Sequence, residues 1–401
     1  MNDWRILILT ILIFAGCRKP YNPPAITAPG SYLVVEGVIN SGSDSTIIKL
    51  SRTVKLSSVT SLNPVTSAAM AVESDQNVLY TLTEKPSGLY VSAGLNLDGS
   101  KKYRLRIKTA DNQQYLSDFV AVKNSPPIDS VTYRVKNNGI EVYVNAHDPN
   151  NNTRYYRWDF FETWRFHSNF DSFWKSNGDT VLLRDQINDQ IYTCWRGDAS
   201  NEIILGSSAK LTNDVIADNP VTFVSSTSVK LGTEYSILVR QYALSADAYA
   251  FWTNLKKNTE QLGSIFDAVP SQINGNIRCI TNPSLPVVGY ISVGAITTKR
   301  LFVFNHNLPA WPAVRDIDTS MCDSMGLLYQ YHDTRSGFIV NQVDQYVNYN
   351  KVPNSHPLIP IEAIFPKMGL YKVLGFTAAD SICVDCTMRG TNKQPSYWRY
   401  Q

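Results

Sequence analysis

The sequence predicts a mainly β protein built from two β-sandwich domains of the immunoglobulin or fibronectin type III kind. Three observations support this fold class. Short runs rich in β-branched and aromatic residues alternate with turn residues at close intervals. A Pro-Pro pair within residues 124–130 divides these runs into two series. Apolar residues make up 43% of the chain, which is typical of a globular protein with a sizeable core.

The chain begins with an apolar segment at residues 6–15 that is too short to span a bilayer but long enough for the core of a signal peptide. Small residues then precede Cys17, as in the bacterial lipobox, where the cysteine is acylated. We expect residues 1–16 to be a signal peptide, Cys17 to be lipidated and the Pro-rich residues 17–29 to form an extended tether. An ordinary cleaved signal with an incidental cysteine is the alternative.

The first predicted sandwich covers residues 30–124. Its strands are expected in six short runs, at 32–39, 45–54, 68–74, 78–84, 88–93 and 103–110. The sequences KPSG and NLDGSKK separate some of these runs, and both are typical of turns because Pro restricts φ and Gly accepts positive φ. The spacing indicates a sandwich of ordinary domain size.

The second predicted domain, residues 125–401, begins with a hairpin around Asn137-Asn138-Gly139, since Asn-Gly is a strong hairpin signal. The next run, at 154–166, carries five aromatic residues on one strand face: Tyr156, Trp158, Phe160, Trp164 and Phe166. We expect this stripe to be core. Glu162 on the same face favours exposure instead, because a lone carboxylate is costly to bury. A later run, at 234–244, resembles a late strand of a fibronectin type III sandwich.

One helix is predicted at residues 245–263, where apolar residues recur at helical spacing. Ser245 can cap its start, Asp247 suits the positive end of the helix dipole, and Gly263 can end it. The run at 289–305 then returns to strand. The region from residue 306 onward contains several prolines, and we expect a long, coil-rich C-terminal extension there.

Charge and motifs exclude several functional classes. A net charge of +3 is small for 401 residues and the basic residues are scattered, so a nucleic-acid partner is not expected. The five histidines are dispersed, and the sequence has no H-E-x-x-H, G-x-S-x-G or phosphate-binding loop. We therefore expect no cofactor, no bound metal and no enzymatic activity.

Two acidic patterns have structural explanations. The segment DPNNN at 148–152 has the alternation of a calcium loop, but Thr153 replaces the required glycine, which favours a plain turn. Asp159 and Glu162 are candidates for a glycosidase pair, yet their opposite strand parity should direct them to different faces. Pairing of Asp159 with Arg157 on its own face is the better explanation.

Five cysteines follow Cys17, and an odd number leaves at least one thiol free or paired between molecules. Cys383 and Cys386 form a CxxC motif. A structural disulfide is expected, because an exported protein meets an oxidising compartment. A metal site and a redox motif are the alternatives. The possible disulfide partners are Cys194, Cys322, Cys383 and Cys386, and their pairing stays open.

Aromatic residues are abundant, with 22 Tyr, 15 Phe and 8 Trp. Trp195, Tyr397, Trp398 and Tyr400 lie in loop-like surroundings, where binding residues are common. We treat Trp195, Tyr397 and Trp398 as candidate ligand contacts. Large rings in loops also plug the ends of sandwiches, which is the alternative.

Five spaced motifs carry a family resemblance: RYYRWDFFETW, RQYALSADAYAFW, GSIFDAVPSQINGNI, GYISVGAITTKRLFV and CVDCTMRGTNKQPSYW. Together they resemble a Bacteroidota lipoprotein family, domain of unknown function forty-two forty-nine, from near residue 20 to the C-terminus. Its members look like outer-membrane lipoproteins, often encoded beside TonB-dependent transporters. The resemblance implies no catalytic residues, and it places Cys383 and Cys386 inside a matching motif.

These observations lead us to expect a non-catalytic outer-membrane lipoprotein that captures a substrate for, or assists, a TonB-dependent transporter. Its partners would be the membrane, through the lipid, and an outer-membrane β-barrel; the ligand is not specified. Arg18 and Lys19 stand where surface-exported lipoproteins often carry acidic residues. The cell surface is nevertheless favoured over the periplasmic face by the implied transporter. A structural subunit of an envelope assembly or secretion complex and a surface hydrolase are the alternatives.

Overall fold

A computed structural model of the chain describes residues 32–54, 63–260, 275–312, 322–348, 358–366 and 372–399. The signal peptide, Cys17 and the tether predicted from the sequence lie outside these residues, as do Gly263 and Tyr400. The described part is mainly β, with sheets packed as sandwiches, which confirms the predicted fold class. None of the helices in these ranges has the length and apolarity needed to cross a membrane.

The first sandwich is built from a sheet that folds over on itself. Its leading strands are β1 (Leu33–Val38), β2 (Thr46–Arg52), β3 (Ala69–Ser74), β4 (Leu79–Lys85), β5 (Leu89–Ser92), β6 (Lys102–Lys108), β7 (Gln114–Ser117) and β8 (Val120–Ala121). Strand β4 connects the two layers, because its first half pairs with β3 and its last three residues pair with β5. Alternating residues such as Tyr103, Leu105 and Ile107 point into the core, as a strand period of two requires.

The second sandwich and its connections follow along the chain. Its elements are β9 (Ile128–Lys136), β10 (Gly139–His147), β11 (Tyr155–His167), β12 (Trp174–Ser176), β13 (Val181–Leu183), β14 (Thr193–Ala199), β15 (Ile204–Ser207), β16 (Val215–Ser225), β17 (Glu234–Leu244), α1 (Ala246–Glu260), β18 (Ile277–Cys279), β19 (Val287–Val288) and β20 (Thr297–Phe304). One sheet has the order β16-β10-β9 and the other β14-β11-β17-β20, with β15 also on β11. A shared core lies between the two sheets. The hairpin predicted at Asn137-Asn138 joins β9 to β10, where Lys136 pairs with Gly139.

The aromatic stripe of β11 is core, as expected. Tyr156 and Trp158 are fully buried, and Phe160, Trp164 and Phe166 lie in the same cluster. Glu162 is also buried, but it is not alone: the Lys230 ammonium pairs with it, and the Tyr235 hydroxyl donates to it at 2.6 Å. A carboxylate can occupy this face because charge-assisted hydrogen bonds replace its hydration.

The domain boundary expected at residue 124 is only partly right. Strand β18 pairs with β7 and β19 pairs with β1, so the chain re-enters the first sandwich after helix α1 and covers both ends of its sheet. Ile291 and Val293 continue into the same core. The first domain is therefore discontinuous. The reason is physical: an open sheet edge exposes unpaired backbone groups, which these late strands satisfy.

Helix α1 lies where the sequence predicts it. The Ser245 hydroxyl accepts a hydrogen bond from the Ala248 backbone N–H at 3.1 Å, which is the expected N-cap. The helix packs Ala248 against the end of β17, near Tyr242 and Leu244, and buries Phe251 beside Tyr290. It therefore covers one end of the outer face of the second sandwich.

A C-terminal module occupies the region expected to be coil-rich. Its elements are β21 (Met325–Leu328), β22 (Tyr331–His332), β23 (Ile339–Val340), β24 (Leu358–Ile364), β25 (Gly375–Asp380) and α2 (Ser381–Val384). Strand β25 lies between β21 and β24, and the β12–β13 hairpin packs Trp174 and Val181 against this sheet. These strands are short and the region contains several prolines, so local sequence pattern alone indicated mostly coil.

Candidate functional site

A surface cleft of about 780 Å³ lies where the second sandwich meets the C-terminal tail, which follows the C-terminal module. Three segments line it: the end of β11 with the facing start of β14, the connection between these strands (Asp171 and residues within 186–192), and the tail at 392–394. The lining is polar, with amide, charged and aromatic side chains. A cavity of this size accommodates a small molecule or a short oligomer.

Backbone pairing positions the sandwich wall of the cleft. In the β11–β14 ladder, Arg165 is opposite Trp195 and His167 is opposite Thr193. Beyond the ladder, the Ser168 N–H donates to the Tyr192 carbonyl at 2.9 Å. The long connection between these strands therefore starts and ends at one place, which brings its residues to the cleft.

Gln190 ties the connection to the tail. Its amide nitrogen donates to the Thr193 carbonyl at 2.7 Å and to the Asn392 carbonyl at 3.3 Å. Its oxygen accepts the N–H groups of Tyr192 and Thr193 at 3.1 and 2.8 Å. The Asn392 amide in turn donates to the Gln190 carbonyl at 2.7 Å. These bonds hold two walls of the cleft at a set separation.

Disulfides fix the tail covalently. Cys194 of β14 bonds to Cys386, and Cys322 bonds to Cys383 at the end of the module. The two CxxC cysteines thus have separate distant partners and form two structural cross-links. Cys279 is buried with a free thiol in the first sandwich. The cleft is therefore built on cross-linked elements, which is the arrangement that holds a binding site in one geometry.

Trp195 and Trp398 are not the exposed contacts that the sequence suggested. Each is only 4% exposed, and their rings meet edge to face at 6.2 Å. The Trp398 indole N–H donates to Glu234 at 2.9 Å, whereas the Trp195 Nε1 has no hydrogen-bond partner in the described ranges. Trp195 still lines the cleft, but Trp398 does not. The physical reason is that these large rings close the outer face of a sheet that water would otherwise reach.

Tyr397 belongs to the same packed tail. Its hydroxyl bonds to Thr163 at 2.8 Å, and the Arg300 guanidinium lies 3.6 Å from its ring centre. The residue is partly buried and does not line the cleft. Of the three predicted ligand contacts, only Trp195 therefore lines the cleft.

Sequence reasoning missed the residues that line most of the cleft. His167 and Tyr192 stack with ring centres 4.7 Å apart and an interplanar angle of 16°. Partial desolvation by packed neighbours, and secondly the positive charge of Arg165, lower the pKa of His167 below its usual value, so the neutral imidazole predominates near pH 7. The run DQINDQ at 185–190 was the available signal, because amides are dense in it.

The acidic pair considered for hydrolysis serves other purposes. Asp159 pairs with Arg240 and accepts from the Tyr242 hydroxyl at 2.8 Å, and Arg157 lies 3.7 Å away as expected. Glu162 is bound on the opposite face, so the two carboxylates do not converge. Asp148 accepts three backbone N–H groups at 2.8–3.0 Å, which is a turn. No cluster of metal ligands occurs within the described part of the chain.

Comparison with known proteins identifies one family. A family model described as "Domain of unknown function (DUF4249)" matches residues 18–300. The match ends before the C-terminal module, so the motif around Cys383 and Cys386 lies beyond it. No curated protein sequence matches the chain.

The solved structures that match the chain have low similarity to it. A two-domain fibronectin type III segment of chicken tenascin is 10% identical, covers 54% of this chain and 93% of its own, and has a TM-score of 0.15. The adhesin InvE of Yersinia pseudotuberculosis is 16% identical, with coverages of 53% and 55% and a TM-score of 0.14. A mutant of Salmonella alpha-2-macroglobulin is 9% identical, with coverages of 78% and 16% and a TM-score of 0.18.

Proposed function

Because the chain belongs to the DUF4249 family, a family of unknown function, we propose that it is a lipid-anchored, non-catalytic protein of the outer membrane. In this proposal it captures a ligand at the cleft and passes it to a TonB-dependent transporter. The cell surface is the favoured side. The cleft carries the proposal, because its polar lining lies on cross-linked elements that hold the side chains in one geometry, as a binding site requires.

Two further observations support the proposal. The apolar segment before Cys17 supplies a lipidation site, and residues 18–32 lie between that site and β1. A chain of this length is long enough to keep the body near the membrane and within reach of a barrel. The body would then act as a receptor held at high local concentration beside its partner.

The experiment begins with anchoring. The full chain, expressed in its native host, is extracted with a sugar-free detergent, and its N-terminal peptide is analysed by mass spectrometry. We expect a peptide that begins at an acylated Cys17 and a β-barrel protein that co-purifies. Cys17→Ser should lose the membrane fraction and the partner, whereas the matched control Cys279→Ser should keep both.

Two outcomes would contradict the proposal. A bare Cys17 thiol on protein released into the medium would remove the anchor. An acylated protein that purifies without any barrel would remove the transporter partnership. Digestion of intact cells with a protease distinguishes the membrane faces, because only surface-exposed protein is cleaved.

A structural subunit of an envelope assembly is the second candidate. Its support is an exposed apolar hairpin, β22–β23, on which Phe338 and Ile339 are 73% and 70% exposed. Adjacent apolar side chains on a surface are typical of protein contacts. A growth defect on every nutrient after gene deletion would favour this candidate, whereas a defect on one nutrient would favour capture.

A further inference from the structure

We infer that the cleft binds an uncharged oligosaccharide. This inference rests on the capture function proposed for the same cleft and adds the chemical class of the ligand. Three features of the lining carry it: amides with free oxygens, a stacked ring pair beside an unpaired indole N–H, and a balanced set of charges.

The amides are oriented to accept hydrogen bonds. In four of the lining residues the side-chain nitrogen already donates to the protein: Gln186 to Ser172 at 3.2 Å, Asn188 to Asp185 at 2.7 Å, Asn392 to Gln190 at 2.7 Å, and Gln394 to Trp398 at 3.2 Å. Within the described residues their side-chain oxygens accept no bond. A planar amide held by its nitrogen offers a fixed acceptor, and sugar hydroxyl groups are the matching donors.

The aromatic side chains supply the second feature. Tyr192 is partly exposed and stacks on His167, so the pair presents a flat, uncharged surface at the cleft. The electron-rich face of a ring attracts the C–H groups on one side of a pyranose. Trp195, at 4% exposure, contributes a buried Nε1–H with no partner in the described ranges. A buried donor left unpaired is costly, and a ligand hydroxyl oxygen would satisfy it.

The charges disfavour ionic ligands. Arg165 is paired with the buried Glu234 at 3.5 Å. Lys393 and Asp171, also in the lining, are opposite in sign, and His167 is neutral near pH 7. The cleft therefore lacks the concentrated positive charge that binds phosphates or carboxylates. Its aliphatic contribution is Ile187 alone among the lining residues, which disfavours a lipid.

Binding is measured on the full-length lipoprotein in a sugar-free detergent, by isothermal titration calorimetry. The probes are maltoheptaose, cellohexaose, xylohexaose, mannohexaose and chitohexaose. Oligogalacturonate and a tryptic digest of casein represent acidic sugars and peptides. We expect saturable binding of at least one neutral oligosaccharide, weakened about tenfold or more by Tyr192→Ala. The matched control Tyr331→Ala changes an exposed tyrosine outside the cleft and should bind as the wild type does.

Two more variants keep the test decisive if Tyr192→Ala does not fold. Trp195→Phe removes the indole N–H and keeps an aromatic ring, so it should weaken binding about tenfold. A melting temperature measured beside it shows that the variant is folded at the assay temperature. Gln394→Ala removes an exposed acceptor at the rim and should weaken binding by a smaller factor.

The outcomes separate this inference from the capture function. Binding of oligogalacturonate or casein peptides in place of neutral sugars, lost in Tyr192→Ala, would overturn the inference and leave capture intact. Neutral-sugar binding that these cleft variants do not affect, or no sugar binding, would also overturn it. Sugar binding by a protein that has no barrel partner would support the inference and contradict the transporter role.

Discussion

Single side chains of this protein have environments that their residue type does not reveal. Glu162 and Asp159 lie three positions apart on β11, yet one faces Lys230 and Tyr235 and the other faces Arg240 and Tyr242. Each carboxylate has a cation and a phenol as partners. The two sets of partners are separate because a strand places Asp159 and Glu162 on opposite faces. Parity alone indicated that they would not meet. Tyr235, Arg240 and Tyr242 lie on β17, and Lys230 lies just before it, so all of these partners are far from β11 in sequence.

Tyr242 gives a pH-dependent prediction. Burial, and secondly the Asp159 carboxylate, raise the pKa of this phenol from 10.0 to about 12. The unfolded chain loses the proton first, so the folded state binds more protons between these values and stability falls as pH rises from about 10 to about 12. The full contribution is about 2.7 kcal/mol, from two pKa units at 1.36 kcal/mol each.

The measurement is urea unfolding at several pH values above about pH 8. Tyr242→Phe should show a shallower loss of stability toward high pH than the wild type. Tyr331→Phe, on an exposed side chain, is the control and should keep the wild-type slope. If the unfolding free energy of Tyr242→Phe fell with pH as steeply as that of the wild type, the pKa of Tyr242 would not be raised in the folded state.

At the scale of elements, local pattern located the strands and one helix but not their partners. Strand β17 occupies the predicted residues 234–244, and α1 begins after the predicted cap. The run expected at 289–305 instead divides between two domains: its first residues complete the first sandwich, and β20 joins the second. Alternation identifies a strand, whereas pairing depends on which edge is free when the domain closes.

After helix α1 the chain packs back onto the first sandwich, and this packing brings the backbone of Gly289 close to that of Val35. The φ of Gly289 is +149°, and a Cβ there would lie 2.3 Å from the Val35 carbonyl oxygen. Gly289→Ala should therefore destabilise the first sandwich by about 2–4 kcal/mol, through backbone strain and overpacking. Chemical denaturation gives the value. Gly99→Ala, where a Cβ meets nothing within 4 Å, is the control and should change stability little. Equal stability of both variants would contradict the contact.

At the scale of the whole molecule, disulfides join parts that are remote in sequence. Cys194–Cys386 spans 192 residues and connects β14 to the tail that lies across the outer face of the second sandwich. Trp195 and Thr391 exchange backbone hydrogen bonds beside it at 2.8 and 2.9 Å. The tail buries the rings of Trp195 and Trp398 and contributes a wall of the cleft. The cleft is therefore a product of the assembled molecule.

Removing this cross-link should affect both the stability of the protein and the protection of the tail from proteolysis. The double variant Cys194→Ala/Cys386→Ala should lose about 2–5 kcal/mol of unfolding free energy, because the unfolded chain gains conformational freedom. A protease should cleave the tail faster in this variant, because only hydrogen bonds and packing then hold the tail on the sandwich.

The comparison is Cys322→Ala/Cys383→Ala, which opens a loop of 61 residues. Because this loop is shorter, the variant should lose about 1 kcal/mol less unfolding free energy than Cys194→Ala/Cys386→Ala. It should also leave the tail beside Trp195 in place. Limited proteolysis followed by mass spectrometry locates the cleavage. A tail equally protected in both variants would contradict the proposed role of Cys194–Cys386.

Local sequence determined the mainly β class, the hairpin at Asn137-Asn138, the position of α1 and the aromatic core stripe of β11. These features follow from strand and helix periodicity and from turn and capping residues, which act over a few positions. The tertiary structure decided the cysteine pairing, the re-entry of β18 and β19, the burial of Trp195 and the cleft itself. Each of these depends on contacts between residues far apart in the chain, where the free energy is gained by closing edges and excluding water rather than by local preference.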